Sequence, residues 1–292
     1  MKIDYIKQLG IFLRGFLMGM CDVIPGVSGG TIALITGIYE RLVNAIGCID
    51  PRMILSFLRF DKQAILADLK QIDFAFLVTL ACGIGIAFFL MSRVITHFLQ
   101  ELPQITYAFF LGLILASCVY LLREITDRKF KYLLPFIIGF IIGFILIGFK
   151  PLEIGHSPLI IFITGMAALC AMILPGTSGA YITLLFGQYE YMLTSLHNFV
   201  FVDIILFCVG GMVGLLIFTR ILKYLLARYH AIMLSALVGL MLGTSRFLYM
   251  EVKTAGGFDI AAILAIFVGI AVIAAMSMLT RKKEKGKEIP DQ

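Results

Sequence analysis

Residues 24–40, IPGVSGGTIALITGIYE, return without a gap as residues 174–190, LPGTSGAYITLLFGQYE, at an offset of 150. Pro25/Pro175, Gly26/Gly176, Ser28/Ser178, Gly29/Gly179, Gly37/Gly187, Tyr39/Tyr189 and Glu40/Glu190 are identical between the copies. Each copy sits inside a long apolar run. A Pro-Gly break frees backbone groups that hydrocarbon cannot satisfy, so it must be buried in protein or line a cavity. Two such breaks, one per half, are a sequence pointer to the binding site of a transporter.

The surrounding composition sets the class. The chain is 61% hydrophobic and 14% charged, and its mean hydropathy is +1.01. Those values exclude a soluble domain and fit an all-α polytopic membrane protein. The six cysteines form no C-x-x-C pair, which argues against a zinc site or a disulfide framework. The histidines lack metal-ligand spacing, so neither a metal nor a cofactor is expected. Residues 1–23 run into the first motif without a signal-peptide cleavage site.

Apolar sequence from 8 to 49 surrounds the first break. As one helix it would be roughly 60 Å long, about twice the hydrocarbon thickness, so the chain must fold back. The expectation is a helical hairpin, re-entrant or made of two short spans. Residues 51–70 mix apolar side chains with Arg52, Arg59, Lys62 and Lys70, suiting a helix on the membrane surface or a loop helix packed on the bundle. Apolar segments follow near 73–98, 103–122 and 132–149. The second hairpin is expected at 157–199, with further spans near 202–224, 231–249 and 259–280. Residues 281–292 read as a disordered basic tail.

Arg93/Arg220, Gly112/Gly239 and Glu124/Glu251 match at a shared offset of 127. The chain therefore divides into a first repeat, 1–150, and a second, 151–280, each a hairpin plus three spans. Three spans is an odd number, so the halves are expected to be inverted. With the N-terminus in the cytoplasm, Arg52, Arg59, Lys62, Lys70, Arg123, Arg128, Lys129, Lys131, Lys223, Arg228 and the tail lysines fall inside. Only Lys150 and Lys253, with Arg93 and Arg246 near span ends, fall outside. This asymmetry places both termini on the cytoplasmic side of the membrane. It also explains the net charge of +6 by orientation and contact with anionic membrane lipids, not by nucleic acid.

After each break a helix is expected to start, at Gly29-Gly30-Thr31 and at Gly179-Ala180-Tyr181. Helix-start amides favour phosphate, glycines allow close approach, and the Ser28, Ser178 and Thr31 hydroxyls can add donors. The competing reading is that these small residues only let helices pack closely. Among intramembrane charges, Arg14, Arg93 and Arg220 are candidate anion ligands, against snorkelling of the latter two to the interface. Glu40 and Glu190 are candidates for proton coupling, against simple pairing with a basic neighbour such as Arg41. Asp22, whose counterpart is Met172, is a one-sided gate or proton site. The expected substrate-binding set is Pro25, Gly26, Ser28, Gly29, Gly30, Thr31, Pro175, Gly176, Ser178 and Gly179, with Arg14, Arg93 and Arg220.

Asp22-Val-Ile-Pro-Gly-Val-Ser-Gly-Gly-Thr31 with Gly37-x-Tyr39-Glu40, echoed by Pro175-Gly-Thr-Ser-Gly179 with Gly187-x-Tyr189-Glu190, resembles a prokaryotic membrane family of polyprenyl-phosphate translocases, the PopT family. That resemblance covers all but the tail. It implies transfer of undecaprenyl phosphate, or a related carrier lipid, from the outer to the cytoplasmic leaflet. It maps the functional region onto Asp22, Pro25, Gly26, Ser28, Gly29, Gly30, Thr31 and Glu40 and onto Pro175, Gly176, Ser178, Gly179 and Glu190, the second copy differing by Ala180-Tyr181 for Gly30-Thr31. A coupling proton or sodium ion is a further expected partner. The alternatives are a small-anion transporter or channel and an intramembrane serine protease built on Gly26-Val27-Ser28-Gly29. A serine protease needs a base within reach of the nucleophile, and no histidine lies deep in an apolar segment. The chain thus reads as a transporter and not an enzyme. No sequence feature sets an oligomeric state.

Overall fold

The computed structural model describes residues 5–23, 27–49, 53, 72–125, 130–152 and 154–285, with side chains except at 124, 130 and 277–285. Apart from Met53, the expected surface helix over 51–70 lies outside the described residues, as do Pro25 and Gly26. All regular structure among the described residues is helical. The elements are α1 (Tyr5–Asp22), α2 (Gly29–Ile35), α3 (Tyr39–Gly47), α4 (Phe74–Glu101) and α5 (Pro103–Glu124). A 3-10 turn at Phe130–Tyr132 leads into α6 (Leu133–Leu146). Then come α7 (Pro158–Ile173), α8 (Gly179–Leu185), α9 (Tyr189–His197), α10 (Phe201–Thr244), α11 (Arg246–Thr254) and α12 (Ile260–Lys285).

Helices α4 and α5 and the run Phe201–Thr254 are long and apolar enough to cross a membrane, and α6, α7 and Ile260–Met276 are shorter apolar helices. Large apolar side chains stand outward along them, with Phe89 81% and Phe267 62% exposed, which a lipid surround accommodates and water does not. The protein is an all-α polytopic membrane protein.

The short helices have local causes. Ser157 caps α7 by accepting the Ile160 N–H, and Pro158 fills the first helical position, where no amide donor is needed. Helix α2 ends in a Schellman motif at Gly37, whose φ is +69°. There the Gly37 N–H donates to the Leu34 carbonyl and the Ile38 N–H to Ala33. Helix α8 ends the same way at Gly187, φ +64°, with Gly187 bonded to Leu184 and Gln188 to Thr183. The second arm of each hairpin is therefore two pieces. At seven residues, α2 and α8 each rise only about 10 Å, far short of a ~30 Å hydrocarbon core.

Helix α10 holds 44 residues, about 66 Å if straight, and is interrupted at Tyr229, where φ is −131° and ψ is 42°. The sequence reading put two spans here; the chain bends at one residue instead of looping, because no proline or glycine separates them. Helix α12 continues to Lys285, into the stretch expected to be a disordered tail from Arg281. Lysine and arginine are good helix formers and complement a helix C-terminus.

The described chain forms two compact units. One comprises Met1–Met91 and Phe149–His230, the other Ser92–Gly148 and Ala231–Gln292. In the first unit, backbone meets backbone at glycines. A Cβ at Gly15 would strike the Leu80 carbonyl, and one at Gly83 the Phe12 carbonyl. At the positions 150 and 127 residues later, a Cβ at Gly165 would strike Phe207 and one at Gly210 would strike Phe162. So α1 packs on α4 as α7 packs on α10, by the close approach that small residues permit between membrane helices. The second unit uses the same device: Gly112 of α5 lies against Ile266 of α12, and Gly239 of α10 against Phe136 of α6.

Replacing Gly83 with Leu should therefore lower the thermal stability of the detergent-solubilised protein by an overpacking cost of about 1–3 kcal/mol. Gly10→Ala, where nothing lies within 4 Å of an added Cβ, should leave it unchanged or slightly higher. Differential scanning of the two variants checks the contrast.

Candidate functional site

The candidate site is built from the ends of short helices. In the first unit the two copies of the motif touch. The Ser28 hydroxyl donates to the Leu174 carbonyl at 3.2 Å and also approaches the Met172 carbonyl at 3.4 Å. The Gly176 N–H donates to Thr31 Oγ1 at 2.9 Å. Side chains of the first copy thus satisfy backbone groups of the second, about 145 residues away in sequence, as burial demands. Leu174-Pro175-Gly176-Thr177 forms a type II turn. Its Thr177 N–H donates to the Leu174 carbonyl at 3.3 Å, and Gly176 supplies the φ of +80° that this turn requires.

The two helix starts are capped differently. At α2, the Asp22 carboxylate accepts the Gly29 N–H at 2.6 Å, Ser28 Oγ accepts the Gly30 N–H at 3.1 Å, and the Ser28 carbonyl accepts the Thr31 N–H at 2.9 Å. The amides expected to be open to an anion are thus taken. The reason is Asp22 itself, an anion brought by the chain to a helix N-terminus. At α8, Ser178 has the same extended N-cap backbone but makes no side-chain cap bond. Met172 stands where Asp22 does, its Cγ 2.7 Å from where a Gly179 Cβ would lie. A thioether supplies neither the charge nor the strong acceptor of a carboxylate.

The Gly30/Ala180 difference has a geometric cause. A Cβ on Gly30 would lie 2.7 Å from the Ile173 carbonyl of the other hairpin, whereas Ala180 is exposed. Thr31 is fully buried against Gly176, while its counterpart Tyr181 is only half-buried.

The remaining candidates are dispersed. Arg14 is half-buried on α1, close enough to Arg41 for their charges to repel. Arg41 itself bonds Asp73 at 2.7 Å and stacks over Phe76. Arg220 is exposed and donates to the Ile49 carbonyl at 2.8 Å, and Arg93 is exposed on α4. Glu40 pairs with His230 at 2.6 Å, an ion pair when the imidazole is protonated, and not with Arg41. Both Glu40 and Glu190 are exposed in the first turn of their helices, where an acid complements the macrodipole.

Several contributors escaped the sequence reading. Thr177, in the variable position of P-G-x-S-G, donates to the Ala171 carbonyl at 2.6 Å and closes the end of α7. Gln188, in the variable position of G-x-Y-E, is fully buried. It donates to the Gly155 carbonyl at 2.7 Å and bonds His156 at 2.9 Å. His156 stacks on Tyr191 at 4.0 Å between ring centroids, and the Tyr191 hydroxyl donates to Asp203 at 2.7 Å. For Thr177 and Gln188 the only sequence signal was their place among the repeated motif letters.

Residues 18–260 match the model of the VCA0040-like family, described as undecaprenyl phosphate translocase-like. The chain belongs to this family. It is 40% identical over 239 residues to the polyprenyl-phosphate transporter of Vibrio cholerae serotype O1, covering 82% of this chain and 77% of that protein. It is 28% identical over 290 residues to the polyprenyl-phosphate transporter of Staphylococcus aureus, covering 93% and 97%. No solved structure matches the chain.

Thr31→Val should destabilise the protein by about 1–3 kcal/mol, because it strips the buried Gly176 N–H of its acceptor. Thr31→Ser should stay near wild type. Thermal unfolding of the purified pair distinguishes a lost hydrogen bond from lost volume.

Proposed function

We propose that this protein carries a polyprenyl phosphate, undecaprenyl phosphate or a close relative, from the outer to the inner leaflet of a prokaryotic cytoplasmic membrane. Supporting the substrate are family membership and the names of the two relatives. The observation that carries the site is the hydrogen-bonded meeting of the two motif copies. A re-entrant tip with small residues lets a headgroup approach backbone, and two such tips in contact form one seat where two would otherwise be needed.

In this reading the halves are inverted repeats with both termini cytoplasmic, as the charge asymmetry argues. The lipid phosphate engages the α8 side first, at Ser178 and Gly179, where no carboxylate competes. Arg14 offers charge compensation for a phosphate within the membrane. Asp22 is the gate. Its carboxylate holds the Gly29 N–H and repels a second anion, so a phosphate gains access to α2 only when Asp22 takes up a proton or swings away. That competition couples the headgroup to a proton, with the polyprenyl tail left in lipid through a lateral opening. Ser28 serves by bridging to the Leu174 carbonyl, which suits a tether and not a nucleophile.

Leaflet exchange of a labelled polyprenyl phosphate in proteoliposomes tests the reading. Exchange should require the protein, fall by about tenfold or more in Arg14→Gln through loss of a charged hydrogen bond, and fall only partly in Ser28→Ala. Asp22→Asn should flatten the dependence of exchange on a pH gradient. Protein-dependent uptake of inorganic phosphate with no lipid exchange would instead establish a small-anion carrier.

A further inference from the structure

Helices α5 and α12 touch closely at Gly112 and Gly269, where an added Cβ would strike Ile266 and Phe109 respectively. Beyond that crossing, toward the C-terminal ends of both helices, they enclose a cavity of about 320 Å³. Its walls include Leu115, Val119, Tyr120, Ile270 and Ile273, and Arg123 stands at its end in the last turn of α5. The volume lies at the low end of the roughly 300–1,000 Å³ common for ligand pockets. Val119 and Arg123 are exposed, so the groove is open along one side. None of the motif residues lines it.

An apolar groove between membrane helices with one cation at its end matches an amphiphile with an apolar chain and an anionic head. The sequence around that end carries more basic than acidic residues, with Glu124, Asp127 and Glu284 interspersed. Arg128, Lys129 and Lys131 follow α5, and Arg281, Lys282 and Lys283 lie on the chain leaving the groove's α12 wall. Basic pockets between helices at one membrane face are the pattern expected of anionic phospholipid seats. Anionic phospholipid far outnumbers a scarce carrier lipid in a bilayer, so mass action favours it over the carrier at a site with a single cation, and its net charge distinguishes it from zwitterionic phospholipid.

We infer that the α5–α12 groove is a resident site for an anionic phospholipid, its acyl chain along Leu115, Val119, Ile270 and Ile273 and its phosphate on Arg123. The site serves occupancy and stability, not transport, and no residue of the proposed motif seat lines it.

Native mass spectrometry of the full-length protein, released from detergent with added phosphatidylglycerol or phosphatidylethanolamine, reads it directly. Wild type should retain phosphatidylglycerol selectively. Arg123→Gln should weaken that retention by about tenfold or more, the loss expected for a charged hydrogen bond. Val119→Trp fills the groove from an exposed position and should weaken it too, with folding verified by an unchanged unfolding temperature in lipid-free detergent. Equal retention of the two phospholipids, or retention unaffected by both substitutions, would overturn the inference. So would equimolar displacement by a polyprenyl phosphate, which would make the groove part of the carrier-lipid path. Retention is read without transport, so a protein that binds phosphatidylglycerol yet exchanges no polyprenyl phosphate supports this site while removing the proposed function.

Discussion

A helix broken at membrane depth exposes amides and carbonyls that hydrocarbon cannot bond, each at a cost of several kcal/mol. This chain contains two such breaks, and side chains of the first copy satisfy backbone groups of the second. Thr31 takes the Gly176 amide proton, and Ser28 gives its hydroxyl proton to the Leu174 carbonyl. Thr177 turns back onto Ala171, and the glycine turns at Gly37 and Gly187 close the far ends of α2 and α8. The second tip depends on the first for these bonds. Any motion that parts them must exchange these bonds for others, and a phosphate, with its several acceptor oxygens, can take up amide and hydroxyl protons released that way.

Within this pseudo-repetition the differences are local and chemical. Asp22 against Met172 sets a carboxylate over one helix start and a thioether over the other. Gly30 against Ala180 follows from which residue faces the opposite hairpin's carbonyl. The two starts share a backbone and differ in electrostatics.

The scaffold under the tips is set by glycine. Gly15 and Gly83 bring α1 and α4 into backbone contact, and Gly165 and Gly210 do the same for α7 and α10. Without a hydrophobic driving force between helices in lipid, such van der Waals contact is a principal source of association. The compact unit that holds both motifs draws segments from both sequence halves, so the duplicated stretches fold as partners and not as separate domains.

Sequence alone determined the class of the molecule and its family, because hydropathy and a doubled, glycine-rich motif are local properties of the chain. It also marked the breaks, since Pro-Gly inside an apolar run admits few conformations. Tertiary structure decided what the motif residues do. That Asp22 folds back to cap Gly29 depends on the turn between them, and that Glu40 meets His230 and not Arg41 and that Arg220 is held at Ile49 depend on residues brought together from distant parts of the chain. Thr177 and Gln188 lay unnoticed in variable positions, because what each bonds is set by the turn or loop that faces it. A hydrogen-bond partner is chosen by geometry across the fold, and no periodicity in one dimension encodes it.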